Sequence, residues 1–211
     1  MKHLNVSCCK HALNDIEDIS SFLDTLPLTP IAEQPWPEEY PYAPVCAFSM
    51  AFTAKSILLK YYVIEKEVTA IYRLDNEPVY KDSCVEFFIA LPNEEGYYNL
   101  EFNCIGTCLA GFGPEKTNRK KISETILASI LHQTAIEIEE NGQFRWALSL
   151  EIPFSVFEFS KIQSLQNTSC KVNFYKCGDD LSDPHFLCWN GIEHPSPNFH
   201  LSAFFGEATF S

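Results

Sequence analysis

The sequence contains no apolar run of the roughly 18 residues that a membrane-spanning helix needs. Its first residues, MKHLNVSCCKHALNDIED, also lack the apolar stretch of a signal peptide. Both absences point to the cytoplasm; a chain trimmed of its leader would instead be periplasmic or secreted. Basic residues are scarce: 15 Lys and Arg against 28 Asp and Glu leave a net charge of -13. Nucleic acid and anionic membranes select basic patches, so neither is expected as a partner. The nine cysteines are odd in number and include no CxxC pair, as expected of reduced thiols in a core; a disulfide framework is the other reading. Cys177, His185, Cys188 and His194 match no common zinc spacing. HExxH, GxSxG and the phosphate-binding loop are all missing, which removes the chemistries they carry.

What is present is a β pattern centred on Val79 to Gly113. Val85, Phe87, Ile89 and Leu91 alternate with Glu86, Phe88 and Ala90. After Pro92-Asn93-Glu94-Glu95-Gly96, the residues Tyr98, Leu100, Phe102 and Cys104 alternate with Asn99, Glu101 and Asn103. Period-two alternation on both sides of a turn predicts a hairpin of half-buried strands. A one-residue slip would send every side chain to the wrong face, so the apolar sets fix the register. The other face then carries Glu86, Glu101, Asn99 and Asn103, with Phe88 among them. Acceptors and amides beside an aromatic ring are half of what a sugar requires.

The remaining segments extend this pattern. Ile16, Ile19, Phe22, Leu23 and Leu26 stand at helical spacing over 15–26, with Asn14 as N-cap and Glu17 completing a capping box. Residues 27–44 contain six prolines and read as an extended arm anchored by Trp36, Tyr40 and Tyr42. Strands are expected over 45–52, 57–64, 68–72, 106–113, 144–152, 172–176 and 203–210, and one or two over 126–138, where Leu127 and Ile130 also fit a helical turn. With 211 residues, 46% hydrophobic, the chain suits one all-β domain, an antiparallel β-sandwich. The division is an N-terminal helix and proline-rich arm (1–44) packed on a sandwich (45–211).

The blocks KDSCVEFFIAL, GYYNLEFNCIGTCLAGFG, LEIPFSVF, VNFYKCGDDLSDPHFLCWNGI and FHLSAFFGEATF, in this order, resemble the family 9 carbohydrate-binding modules. More closely they resemble free-standing family-9-like proteins of gut-type bacteria. The resemblance implies a DOMON-like sandwich that binds sugars without cleaving them, between two aromatic rings and polar side chains. No cofactor is required, although the family often carries structural calcium. It also links the chain to polysaccharide catabolism and to a partner glycoside hydrolase.

By the family pattern, Tyr80 stands six positions before Glu86, with Asp82 and Ser83 between, as the first ring. Trp189, followed by Asn190, matches the second. The two are expected to face each other across a shallow cleft floored by Glu86. Trp189 reads equally as a core residue, and Glu86 as a solvated strand residue. Glu101 and Asn103 are further ligand contacts. Lys176 either bonds a sugar hydroxyl or pairs with Asp179 or Asp180. Asp179, Asp180 and Asp183 are the candidates for calcium, against a plain acidic loop. No arginine stands in IGTCLAGFG, where the family places one. Two alternatives remain: a glycoside hydrolase using Glu86 and Glu101 as paired carboxylates, and a partner-binding sandwich that has lost its sugar site.

Overall fold

The computed structural model describes residues 1–211. In chain order the elements are β1 (His3–Cys8), α1 (Ile16–Asp24), β2 (Thr29–Pro30), β3 (Val45–Phe52), β4 (Ser56–Glu65), β5 (Cys84–Ala90), β6 (Tyr97–Asn103) and β7 (Cys108–Gly113). They continue with β8 (Lys120–Lys121), α2 (Glu124–Leu127), β9 (Leu131–Ile138), β10 (Phe144–Pro153), β11 (Thr168–Cys177), β12 (Phe186–Cys188) and β13 (Gly206–Phe210). The strand order is β8-β7-β6-β5-β11-β13-β1-β3-β4-β10-β9, with β12 beside β11 and β2 beside β3. The ladder folds over itself into the two layers of a sandwich. β1 joins the layers: residues 3–6 pair with β13 and residues 7–8 with β3. Both of those pairings are parallel, whereas the other ladders are antiparallel.

The core lies between the layers and is filled by the in-phase apolar sets. Phe48, Tyr61, Phe87, Phe102, Trp146, Leu148 and Phe174 all have at most 1% exposure. Phe174 stacks on Phe48 at 3.7 Å and on Phe87 at 5.1 Å between ring centroids. The hairpin has the expected register, with Phe87 opposite Leu100 and Glu86 opposite Glu101. Its turn needs Asn93 at a φ of 63° and Gly96, where a Cβ would meet the Phe112 ring at 2.7 Å.

Three local expectations are corrected, and the alternatives at 126–138 are both realised. Asp15, not Asn14, caps α1, accepting from the Asp18 N–H at 2.9 Å. Asn14 instead donates its backbone and side-chain N–H groups to the Asp18 carboxylate. Residues 68–72 form no strand. Carboxylates replace the ladder there: Asp82 accepts from Ile71 and Tyr72, and Glu77 from Arg73 and Leu74. Residues 126–138 divide between the end of α2 and β9. Before β13, residues 202–204 form a single 3-10 turn.

The outer faces are covered unequally. On the β4 side, α1 buries Ile19 and Leu23 against Ala51 and Leu58. On the β5–β6–β11 side, the proline arm and the 178–205 loop cover a second apolar cluster. In that cluster Trp36 and Tyr40 of the arm pack on Phe186, and Trp36 also packs on Phe199. The Trp36 indole N–H donates to His194 O at 2.6 Å.

Candidate functional site

Under that loop cover, on the polar face of the hairpin, lies a cavity of about 460 Å³. Glu86 and Glu101 form its floor as directly opposed cross-strand neighbours. Asn99 lies beside them. Tyr80 enters from the turn before β5, Asp179 from the loop after β11, Phe186 from β12, and Phe199 and His200 from the late loop. Lys116 and Arg119 come from the β7–β8 connection.

The floor is buried but incompletely bonded. Glu86 is 3% and Glu101 is 4% exposed. One Glu86 oxygen accepts from Cys177 Sγ at 3.2 Å, and one Glu101 oxygen from Asn99 Nδ2 at 2.8 Å. The second oxygen of each has no protein partner and borders the cavity. Burial, and then the Glu101 charge, hold Glu86 well above the usual carboxylate range. Burial pushes Glu101 up to about 7 against the opposing Asn99 hydrogen bond, and pushes Asp179 up to about 6. Burial, aided by Arg119 and Lys116, lowers His200 to about 3, so its ring is neutral at pH 7.

The sign of the pH effect follows. Glu101 is raised from 4.5 to about 7 in the folded state. Its stabilising contribution is therefore fully present below 4.5 and is lost as pH rises through 7. Glu101→Gln mimics the protonated form. The variant should match the parent at pH 4.5 and be more stable at pH 8, by up to roughly 3 kcal/mol, and so melt higher there. Thermal unfolding across that range checks this; an equal or lower melting temperature at pH 8 would contradict it.

Arg119 is the residue that the sequence reading missed. It lies in the charged run EKTNRKK, outside the region where an arginine was sought. Its guanidinium crosses the end of the hairpin, 4.3 Å from the Tyr97 ring centroid. Nε donates to Asn99 Oδ1, Nη1 to the carbonyls of Gly113 and Glu115, and Nη2 to those of Tyr97 and Gly111. All five donors of the fork are thus committed to the protein. Arg119 shapes the wall and fixes Asn99, which in turn orients Glu101. Phe186, Phe199 and His200 were likewise not anticipated.

The cavity brings together Tyr80, Glu86 and Glu101 of the expected ligand set; the other four lie elsewhere. Trp189 does not face Tyr80 across a cleft. It is 3% exposed in the main core, edge-on to Phe48 and Phe174 at 6.5 and 5.7 Å. Leu187 and Trp189 are in phase, and both point into the sandwich. Lys176 is also in phase with the core residues Val172 and Phe174 and has 0% exposure. It pairs with neither Asp179 nor Asp180. Its ammonium lies 2.9 Å from Glu65 Oε2 and donates to His185 Nε2 at 2.8 Å. Burial would lower the Lys176 pKa, but the Glu65 charge and hydrogen bond, with smaller contributions from Cys177 and Cys46, together make the net shift upward.

The remaining two have structural bonds. Asn103 donates to Tyr72 O and Asp82 and accepts from the Thr107 N–H. Asn190 accepts from the Lys2 backbone N–H and donates to Phe204 O. Phe88, expected to offer its ring to a sugar, is 0% exposed beneath His200 and Phe205.

The calcium candidates do not converge. Asp180 pairs with Lys81 at 2.9 Å and Asp183 with Lys66 at 3.0 Å, while Asp179 lines the cavity. Calcium takes six to eight oxygens, and these residues do not fit it. Cys84, Cys177 and Glu86 place ligand-type atoms within 4.8 Å of one another. Their two sulfurs do not suit calcium either, and burial pushes the Cys84 thiol up to about 12.

The model of carbohydrate-binding family 9 matches residues 18–210. The chain belongs to this family. No curated protein sequence matches it. Among solved structures, a candidate carbohydrate-binding protein of Bacteroides uniformis is 36% identical with a TM-score of 0.91, covering 100% of this chain and 99% of the other. A family 9 module of Caldicellulosiruptor kristjanssonii, solved with glucose, is 11% identical with a TM-score of 0.63, covering 100% and 96%. The same organism's module solved with cellotriose is 12% identical with a TM-score of 0.62, covering 99% and 93%. At these identities the two modules share the fold of this family 9 chain. Carbohydrate binding is the family's function.

Proposed function

We propose that this family 9 protein binds a saccharide in the Glu86–Glu101 cavity. The observation that carries the reading is the pair of buried, opposed carboxyls, each with an oxygen that no protein group satisfies. Sugar hydroxyls supply the missing donors. Tyr80, Phe186 and Phe199 offer apolar faces to the C–H side of a ring. The volume, about 460 Å³, suits a mono- or disaccharide. Glucose and cellotriose in the two Caldicellulosiruptor complexes support the ligand class. Affinities between micromolar and millimolar are expected, about -8 to -4 kcal/mol.

Tyr80 gives the cleanest test. Its carbonyl accepts from the Asp179 N–H, a bond that survives truncation of the side chain. Tyr80→Ala should weaken saccharide binding by about tenfold while leaving the melting temperature nearly unchanged. Titration calorimetry against a panel of hexoses and disaccharides checks this; undiminished binding by the variant would remove the cavity as the site.

The bound saccharide is not turned over in this reading. The family description supports binding, and cleavage falls to a separate glycoside hydrolase in polysaccharide catabolism. The opposed carboxyls with displaced pKa values give hydrolysis its one supporting observation. Release of reducing sugar that disappears in both Glu86→Gln and Glu101→Gln would transfer the protein to that class.

A further inference from the structure

Resting on the saccharide reading above, the geometry points to an amino sugar: we infer that the pocket selects a hexose carrying a protonated amine, with the ammonium between Glu86 and Glu101. The floor offers two carboxyls and no cation of its own. Neither carboxyl forms an ion pair at hydrogen-bond distance, although three basic residues line the cavity. Arg119 has spent its five N–H groups on Asn99 and four carbonyls. Lys121 donates to Asn76 O at 3.3 Å. His200, neutral at pH 7, meets the Tyr97 hydroxyl at 3.0 Å through Nδ1, and its Nε2 stops 4.0 Å from Glu101. Lys116 lines the cavity from the exposed β7–β8 connection; its charge acts on both carboxyls, but it makes no salt bridge with either. Asp179 adds a third carboxyl rather than a counter-charge.

A neutral hexose satisfies such a floor with hydroxyl donors alone. An ammonium satisfies it with charge-assisted hydrogen bonds and also offsets the burial that disfavours the carboxylate form of both groups. An N-acetylated amine keeps one donor but loses the charge and adds bulk against the floor.

The experiment is calorimetry at pH 7 with glucosamine, galactosamine and mannosamine, each against its parent hexose and its N-acetyl derivative, and with ethanolamine as a cation without a ring. At least one amino sugar should bind about tenfold or more tighter than its parent. That advantage should disappear in the Glu86→Gln/Glu101→Gln double variant, with circular dichroism confirming that the variant is folded. A parent hexose that binds as tightly as its amino form overturns the selectivity and leaves the saccharide reading standing. An advantage that persists in the double variant overturns the placement of the ammonium. Ethanolamine binding as tightly as the amino sugars, or no binding by any sugar, overturns both.

Discussion

Lys176→Met should destabilise the protein by about 3–5 kcal/mol, because it leaves the Glu65 carboxylate buried without its counter-ion. Glu65 is 1% exposed between the layers, in phase with Ile57, Leu59, Tyr61 and Val63 of β4. One of its oxygens accepts from the Trp146 indole at 2.6 Å, and the other lies 2.9 Å from Lys176. His185 completes the group. Burial and the Lys176 charge lower its pKa to about 3, so the neutral ring accepts from Lys176 through Nε2 and donates from Nδ1 to Asp183 O. Adding Glu65→Gln to Lys176→Met should recover most of the loss, since glutamine keeps an acceptor for Trp146 and removes the charge. Urea unfolding of the two singles and the double measures the coupling. A Lys176→Met protein within about 1 kcal/mol of the parent would contradict this.

Trp189→Ala should cost about 3–5 kcal/mol through the cavity it opens. For a domain of this size that is a fall in melting temperature of roughly 10 °C. The indole fills the space between Phe48 and Phe174 on one side and β13 on the other. It lies so close to Gly206 that a Cβ there would approach the ring to 2.4 Å and Lys2 O to 2.8 Å. The Glu86–Glu101 cavity lies on the opposite face of its sheet, so the folded fraction of the variant should bind saccharide with parental affinity. Calorimetry below the lowered transition separates the two effects. Lost binding with an unchanged melting temperature would restore Trp189 to the ligand site.

The hairpin was legible because a period-two pattern is read directly from neighbouring residues. It placed Glu86 opposite Glu101 on a face away from the core, and with them the centre of the site. Trp189 misled because its loop is rich in polar residues, whereas its phase with Leu187 pointed inward. Lys176 and Glu65 carried a usable signal: each is an isolated charge in phase with an otherwise apolar stripe, and the two have opposite signs. Arg119 carried none, since within EKTNRKK its side chain is indistinguishable from solvated neighbours. Phe186 and Phe199 reach the cavity only because the proline arm and the late loop fold over one face, a contact between segments more than 140 residues apart in sequence. The strand at residues 3–8 was invisible for the same reason. HLNVSC is short and weakly alternating, and it becomes a strand through partners supplied by β3 and β13.

That strand has a consequence for how the chain acquires its fold during synthesis. Residues 3–6 find their ladder only on residues 207–210, which are synthesised about 200 residues later. Apart from the β11–β13 ladder, the other pairings of the main sheet involve earlier strands, so much of both layers can form while the seam between them is still open. Closing it joins the most distant parts of the sequence and adds to a contact order that already favours slow folding. Until then residues 3–6 of β1 lack their ladder and can pair with a strand from another chain. A fusion that holds the first residues away from the sheet would prolong that interval, and its effect would be seen in yield before it was seen in binding.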